Sequence, residues 1–310
     1  MAVADPVSPL PASTRALSSG AFITLLSIAL MMGANHVGAR IAFNNGVDVI
    51  TAISCRSVVT ACVVWALVAW QGVPLKFSTR EKRWLPAIGV LIAVQSYCLY
   101  SAVARLPVAL ALLAFNSFPI WIAGWNWLLY RRPPERATLQ AMPVILLGLA
   151  LALDVFGATS DLSAAAHWGQ IGTGVAFAFG AAATFGLALV LTQHEAGAVD
   201  GRVRTATTMS MVGAIAVLAA WSQGGFHWPQ AAVGWWGLAA LTMLYGTGIT
   251  VLFTVLPRLG VAGNSSIMNV EPVFALLLGW LILGQVIAPL QIAGALLVVS
   301  AVVWLGLRKK

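Results

Sequence analysis

Long apolar runs separated by short polar breaks make up most of the chain. A helix needs roughly 20 residues to cross the hydrocarbon of a bilayer. Ten runs of that order can be read: 19–40, 49–71, 84–104, 108–130, 138–157, 168–193, 203–222, 233–256, 261–284 and 288–307. The breaks carry turn chemistry, as in Asn44-Asn45-Gly46, Gly72-Val73-Pro74, Arg132-Pro133-Pro134 and Gln223-Gly224-Gly225. Several connections are only a few residues long, so neighbouring helices run antiparallel. The pattern predicts an all-α membrane protein of ten transmembrane helices, with no stretch between spans that holds a soluble domain. Residues 1–18 are rich in Pro, Ser and Ala and have no charged start before an apolar core. They read as a flexible cytoplasmic tail and not as a signal peptide.

Composition narrows the class. Of 310 residues, 60% are hydrophobic and 8% are charged, against about 25% charged in a soluble domain. This excludes a soluble enzyme, a disordered chain and a disulfide scaffold. The net charge of +8 does not point to nucleic acid, because the basic residues cluster between apolar runs as loop anchors do. Fourteen of the 17 Lys and Arg residues fall on one side if the N-terminus is cytoplasmic: Arg15, the cluster Lys76 to Arg83, Arg131, Arg132, Arg136, Arg202, Arg204, Arg258 and the tail Arg308 to Lys310. Only Arg40 and Arg105 fall opposite, and Arg56 lies within a span. Both termini are therefore expected in the cytoplasm. Cys55, Cys62 and Cys98 show no metal or redox spacing and read as small buried residues.

An internal repeat is the strongest signal. Residues 99–131 laid over 252–284, a shift of 153, give nine identities in 33 ungapped positions. Leu99 meets Leu252, Arg105-Leu106 meets Arg258-Leu259, and Val108-Ala109 meets Val261-Ala262. Asn116 meets Asn269, Pro119 meets Pro272, and Trp127-Leu128 meets Trp280-Leu281. Apolar composition alone would not align Arg, Asn, Pro and Trp together. Two five-helix repeats follow, 19–160 and 161–307, with 308–310 a basic cytoplasmic tail. Five is odd, so the second repeat enters the membrane from the opposite side. Inverted repeats characterise secondary transporters, whose site lies near the midplane between the halves.

These segments resemble the drug/metabolite transporter superfamily, in particular its EamA-type members. The resemblance covers about residues 20 to 307. It is carried by Gly33-Ala34-Asn35-His36 with Arg40, Ile53-Ser54-Cys55-Arg56, and Arg105-Leu106-Pro107-Val108-Ala109 through Asn116-Ser117-Phe118-Pro119. Asn269-Val270-Glu271-Pro272 and Gln291-Ile292-Ala293-Gly294 carry it in the second half. Such repeats often have Gly-Glu after the Trp-bearing helix, where this chain has Arg131-Arg132 and Gly284-Gln285. Within the superfamily the chain looks most like the YddG-type aromatic amino acid exporters. The resemblance implies export of amino acids, aromatic ones included, across a bacterial inner membrane.

Polar groups inside the spans are the candidate site, since each costs a few kcal/mol at the bilayer centre. Arg56 lies roughly 10–12 Å in from the outer face and Glu271 roughly 15 Å in from the inner face, at similar depth. Glu271 reads either as a proton or cation site or as a carboxylate that pairs with Arg56 or caps backbone freed by Pro272. Arg56 reads as structural or as a latch, and a substrate carboxylate would also suit it by a bidentate pair. Asn116 and Asn269 each stand three residues before a proline, where a helix can bend. They line a cavity or bond between helices. Gln95, Tyr97, Tyr100 and Tyr245 offer apolar rings and polar tips suited to a zwitterion. Trp121 is a pocket wall or packing. Asn35 and His36 lie toward the outer end of the first span; His36 reads as an imidazole that trades a proton near neutral pH or as a hydrogen-bonded spacer. Gly186 and other glycines of the sixth run read as close packing or as hinges.

No phosphate-binding loop G-x-x-x-x-G-K-[ST] occurs, so transport runs downhill or on an ion gradient. No cofactor or metal is expected; the expected partners are a small solute and the lipid bilayer. The competing readings are a multidrug-type cation/proton antiporter using Glu271 and a membrane-embedded enzyme, for which the polar residues are too few. The charge bias makes a topological prediction. Reporter fusions after residues 45, 160 and 287 should read periplasmic, and those after 80, 135, 200 and 310 cytoplasmic. A cytoplasmic signal at 160 would overturn the five-plus-five division.

Overall fold

The computed structural model describes residues 19–134, 136–154, 164–255 and 270–307. Eleven helices follow one another: α1 Ser19–Asn44, α2 Val49–Trp70, α3 Thr79–Arg105, α4 Val108–Phe115, α5 Phe118–Tyr130, α6 Arg136–Ala152, α7 Ala164–Glu195, α8 Gly201–Ser222, α9 Ala232–Val255, α10 Glu271–Leu283 and α11 Pro289–Leu307. No strand occurs among the described residues. Six stretches are long and apolar enough to cross a membrane, counting Val108–Tyr130 as one, and three shorter helices are apolar. The expected residues Arg258 and Asn269 lie outside the described residues.

Helix starts follow capping chemistry. Asp48 accepts the Thr51 N–H at 2.9 Å at the start of α2, and Asp200 does the same for Arg202 at the start of α8. Ser78 and Glu81 form a reciprocal capping box, which starts α3 five residues earlier than apolarity alone predicts. The single span expected over 108–130 is two helices. Pro119 has no N–H and crowds the Phe115 carbonyl, so the chain tightens at Asn116 and Ser117, where Ser117 N bonds Ala114 O at 3.2 Å.

The packing has a regular plan. α1 lies along α9, and α7 along α3. α2 packs on α8, and α6 on α11. α10 leans on α1, while α4 and α5 lean on α7; α4 also meets α10. This set of pairings maps onto itself when α1, α2, α3, α4–α5 and α6 are exchanged with α7, α8, α9, α10 and α11. The match extends to single residues at the shift of 153. α5 and α10 are both 13 residues long and begin at Phe118 and Glu271, each followed by proline. Their N-caps, Ser117 and Val270, have φ −70° and −81°.

Close approach follows the same register. A Cβ on Gly33 would lie 3.2 Å from Ala275 N and 3.3 Å from Phe274 Cβ. A Cβ on Gly186 would lie 3.1 Å from Ile122 N and 3.0 Å from Trp121 Cβ. Gly33 and Gly186 are 153 apart, as are Trp121 and Phe274. In both places a missing side chain lets one helix backbone rest on another, the usual packing device between helices in lipid.

Hydrogen bonds tie the bundle at both ends. At one end Glu195 receives Arg80 Nε at 2.6 Å and the Tyr130 hydroxyl at 2.7 Å, and Tyr130 stacks on His194. At the other end the His227 N–H bonds Thr51 Oγ1 and the Gln230 N–H bonds Asn45 O, each at 3.0 Å.

The two C-caps differ in one respect. Both are left-handed, with φ 54° at Arg131 and 63° at Gly284. Glycine takes this conformation without penalty, whereas a Cβ-bearing residue is disfavoured there by about 1 kcal/mol or more. Arg131→Gly should therefore stabilise the detergent-solubilised protein by about 1 kcal/mol, read as a higher midpoint of thermal unfolding. A lower midpoint would show that the Arg131 side chain contributes more than its backbone costs.

Candidate functional site

The site grows from the seam between α1 and α10. Pro272 forces α10 to begin at Glu271, in its first turn, where the positive end of the helix dipole favours a carboxylate. Gly33 lets that turn settle on α1. His36 is one helical turn beyond Gly33 and faces the same way. Its Nε2 lies 3.3 Å from Glu271 Oε1. His36 is buried, and the Glu271 side chain is about a quarter exposed (24%).

A second polar line starts at the neighbouring residue. Asn35, fully buried, donates from Nδ2 to the Met32 carbonyl and accepts at Oδ1 from the Tyr100 hydroxyl at 2.9 Å. The Tyr100 oxygen in turn accepts from Arg56 Nη1 at 3.3 Å. Arg56 Nη2 donates to Ser96 Oγ at 2.9 Å, and Ser96 reaches Gln95 Oε1 at 3.4 Å. Arg56 is itself buried, with its Cζ 4.9 Å from the centre of the Tyr100 ring and 4.1 Å from that of Tyr245. The ring faces offset part of the cost of burying a cation, each contributing up to about 2 kcal/mol when water is excluded. The His36 and Tyr100 rings also meet, with centroids 5.5 Å apart.

One continuous set thus brings together Glu271, His36, Asn35, Tyr100, Arg56, Tyr245 and Gln95 of the sequence candidates. The pairing differs from the expected one. Glu271 takes His36, and Arg56 takes Tyr100 and Ser96, because similar depth in the membrane says nothing about which helix faces which. Ser96 is new; it stands one turn before Tyr100 on the same face of α3, a spacing that could have flagged it.

Other candidates lie elsewhere. Tyr97 is turned about 60° from Tyr100 around α3, packs edge-on against Phe177 at 6.0 Å, and lines an apolar cavity of about 290 Å³ between α2, α3 and α8 with Ile53, Val94 and Ile215. Trp121 packs at Gly186 and lines an open apolar hollow of about 420 Å³ with Trp125 and Met142. Asn116 is buried at the break between α4 and α5, and its own N–H bonds Leu112 O at 2.9 Å. Asn269 lies outside the described residues. Gln285, which stands where related repeats often carry an acid, accepts the Val108 N–H at 3.1 Å and so caps α4. No group of three potential metal ligands occurs among the described residues.

Apolar helices paired in a repeated plan, with a polar chain buried where they meet, are the architecture of a helical membrane protein. The comparisons agree. The profile of the EamA-like transporter family matches residues 19–153 and again 172–307. The chain belongs to that family, and is a multi-pass membrane protein of transporter type. No curated protein matches it. A protein of known crystal structure aligns with 92% of this chain and 96% of its own, at a TM-score of 0.59 and 17% identity, a likeness of fold alone.

The observed pairing predicts how substitutions combine. Glu271→Gln should express well without a compensating change at Arg56. In a double-mutant cycle on thermal unfolding, His36→Gln and Glu271→Gln should couple by about 1 kcal/mol. Arg56→Gln and Glu271→Gln, which are joined only through His36 and Tyr100, should couple more weakly than that pair. Strong coupling of the second pair instead would restore Arg56 as the partner of Glu271.

Proposed function

We propose that the protein is a secondary transporter that exports amino acids, aromatic ones included, or similar small metabolites by alternating access. The carrying observation is the polar chain itself. Asn35, His36, Arg56 and Tyr100 come from the first family-matched segment, Tyr245 and Glu271 from the second. A site built from both repeats changes its surroundings when the repeats move against each other. In this reading ten spans form two inverted five-helix halves, 19–160 and 161–307, in a bacterial inner membrane with both termini cytoplasmic. The paired helices and the register of 153 support the two-fold relation; the charge bias supports the orientation. Arg56 and the tyrosine rings receive the solute.

The His36–Glu271 contact favours proton coupling over facilitated diffusion. An imidazole and a carboxylate 3.3 Å apart can share, take up or release a proton as the seam opens and closes. The same contact is what a cation/proton antiporter would use, which makes that the second reading.

Radiolabelled amino acid flux in proteoliposomes distinguishes them. Parent protein should accumulate phenylalanine against its gradient when a pH gradient is imposed. Glu271→Gln should lose that accumulation by at least tenfold and keep exchange of phenylalanine down its own gradient. Full gradient-driven flux by a well-expressed Glu271→Gln protein would remove Glu271 from coupling. Flux of lipophilic cations with none of amino acids would favour the antiporter.

A further inference from the structure

Arg56 has no acid. It is 4% exposed, and among the described residues no carboxylate lies within ion-pair distance of it. Glu271, the acid at similar membrane depth, is engaged by His36. Among the described residues the hydrogen-bond and ring partners of Arg56 are neutral: the Tyr100 and Ser96 hydroxyls and two tyrosine ring faces. A cation held in an apolar bundle by neutral groups alone is in want of an anion.

The geometry shows where an anion would go. A guanidinium has five N–H donors in a planar fork, and a carboxylate meets two of them side by side. Only one donor on each Nη is used. The Nε is buried and has no hydrogen-bond partner, so three of the five donors are unspent. Thr60 lies one turn further along the same face of α2, and its buried Oγ1 is also without a partner. Both residues face α9: the Tyr245 ring lies over Arg56, and Gly246 lies beside Thr60. A Cβ on Gly246 would meet nothing closer than Thr60 Oγ1, at 3.5 Å. Unpartnered polar groups therefore adjoin at the junction of α2 and α9, where Gly246 places no side chain.

We propose that Arg56 is the receptor for a carboxylate on the transported solute, taken side-on by Nε and Nη between the Tyr100 and Tyr245 rings, with Thr60 Oγ1 as an added donor. This rests on the transporter reading above and names the chemical group that its site selects. A single guanidinium among neutral hydroxyls matches the one charge of a carboxylate. A phosphate dianion would ask for a second cation, and the nearby His36 is engaged by Glu271. A solute lacking the free acid, such as an amide or an amine, leaves the cation unpaired and is rejected for that reason.

The test uses the full-length protein and three probes that share a phenyl ring: L-phenylalanine, hydrocinnamate (the acid without the amine) and phenylalaninamide (the amine without the acid). Ligand-induced shifts of thermal unfolding in detergent report binding. L-phenylalanine and hydrocinnamate should protect the parent, and phenylalaninamide should be at least a hundredfold weaker. Arg56→Gln should lose both acids by a similar factor. Arg56→Lys should retain them about tenfold weaker, since it keeps the charge without the fork.

If Arg56→Gln does not fold, the comparison of acid with amide on the parent still decides. Equal protection by the amide overturns the proposal, as does unchanged protection of a folded Arg56→Gln by the acids. Amino acid flux separates this inference from the one beneath it. A parent that transports phenylalanine, with Arg56→Gln doing so equally well, sinks the carboxylate receptor and leaves the exporter. A parent that binds hydrocinnamate through Arg56 and moves no amino acid keeps the receptor and sinks the amino acid reading. A parent that binds none of the probes overturns both.

Discussion

A proline cannot donate a backbone hydrogen bond, and its ring crowds the carbonyl four residues back. At Pro119 and Pro272, unlike at Pro86 and Pro143 inside α3 and α6, this constraint coincides with the start of a helix, and the rest of the site depends on it. In each case a helix begins one residue before the proline and runs for 13 residues. It then ends in a left-handed residue. In the second case this leaves Glu271 in the first turn of α10, at the favourable end of the helix dipole. Gly33 then sets how near that turn comes to α1, and His36 receives it. Move the proline by one residue and the carboxylate turns roughly 100° about the helix axis, away from the imidazole.

Most of the helix plan was legible along the chain, because runs of apolar residues and their Gly, Pro and Asn breaks report directly on transfer to lipid and on turn chemistry. The repeat was legible too. Arg105, Asn116, Pro119 and Trp127 recur at the same spacing, and α5 and α10 have that register in space. What could not be read was lateral arrangement. Depth along a span follows from counting residues, and it put Arg56 and Glu271 level with each other. Which helix each faces depends on rotation about the axis and on neighbours far away in sequence. So Arg56 turned to α3 and α9, Glu271 to α1, and Ser96 went unnoticed because a lone serine in a span carries no signal. Tyr97 and Trp121 looked like pocket residues by type. Tyr97 is three residues from Tyr100, and Trp121 three from Phe118, yet each lines a separate apolar surface.

The two seams related by the shift of 153 pack alike and differ in chemistry. At the α1–α10 seam stand Asn35, His36 and Glu271. Their counterparts at the α7–α5 seam are Ala188, Leu189 and Phe118. Phe118 there meets Phe185 edge-on at 5.4 Å and Phe115 at 5.7 Å. Under the exchange of halves proposed above, packing terms change little between the two access states, since each seam can take the other's arrangement. The polar seam has no equivalent to take its place. Hydrogen bonds between helices in lipid are worth about 0.6 to 2 kcal/mol each, and a few of them opening on one side only would shift a two-state balance by one to several powers of ten. A ligand or proton that changes those few bonds therefore has a lever on the whole molecule, while the apolar seam opposite, which offers no charge to bind or release, supplies the matching fold and none of the control.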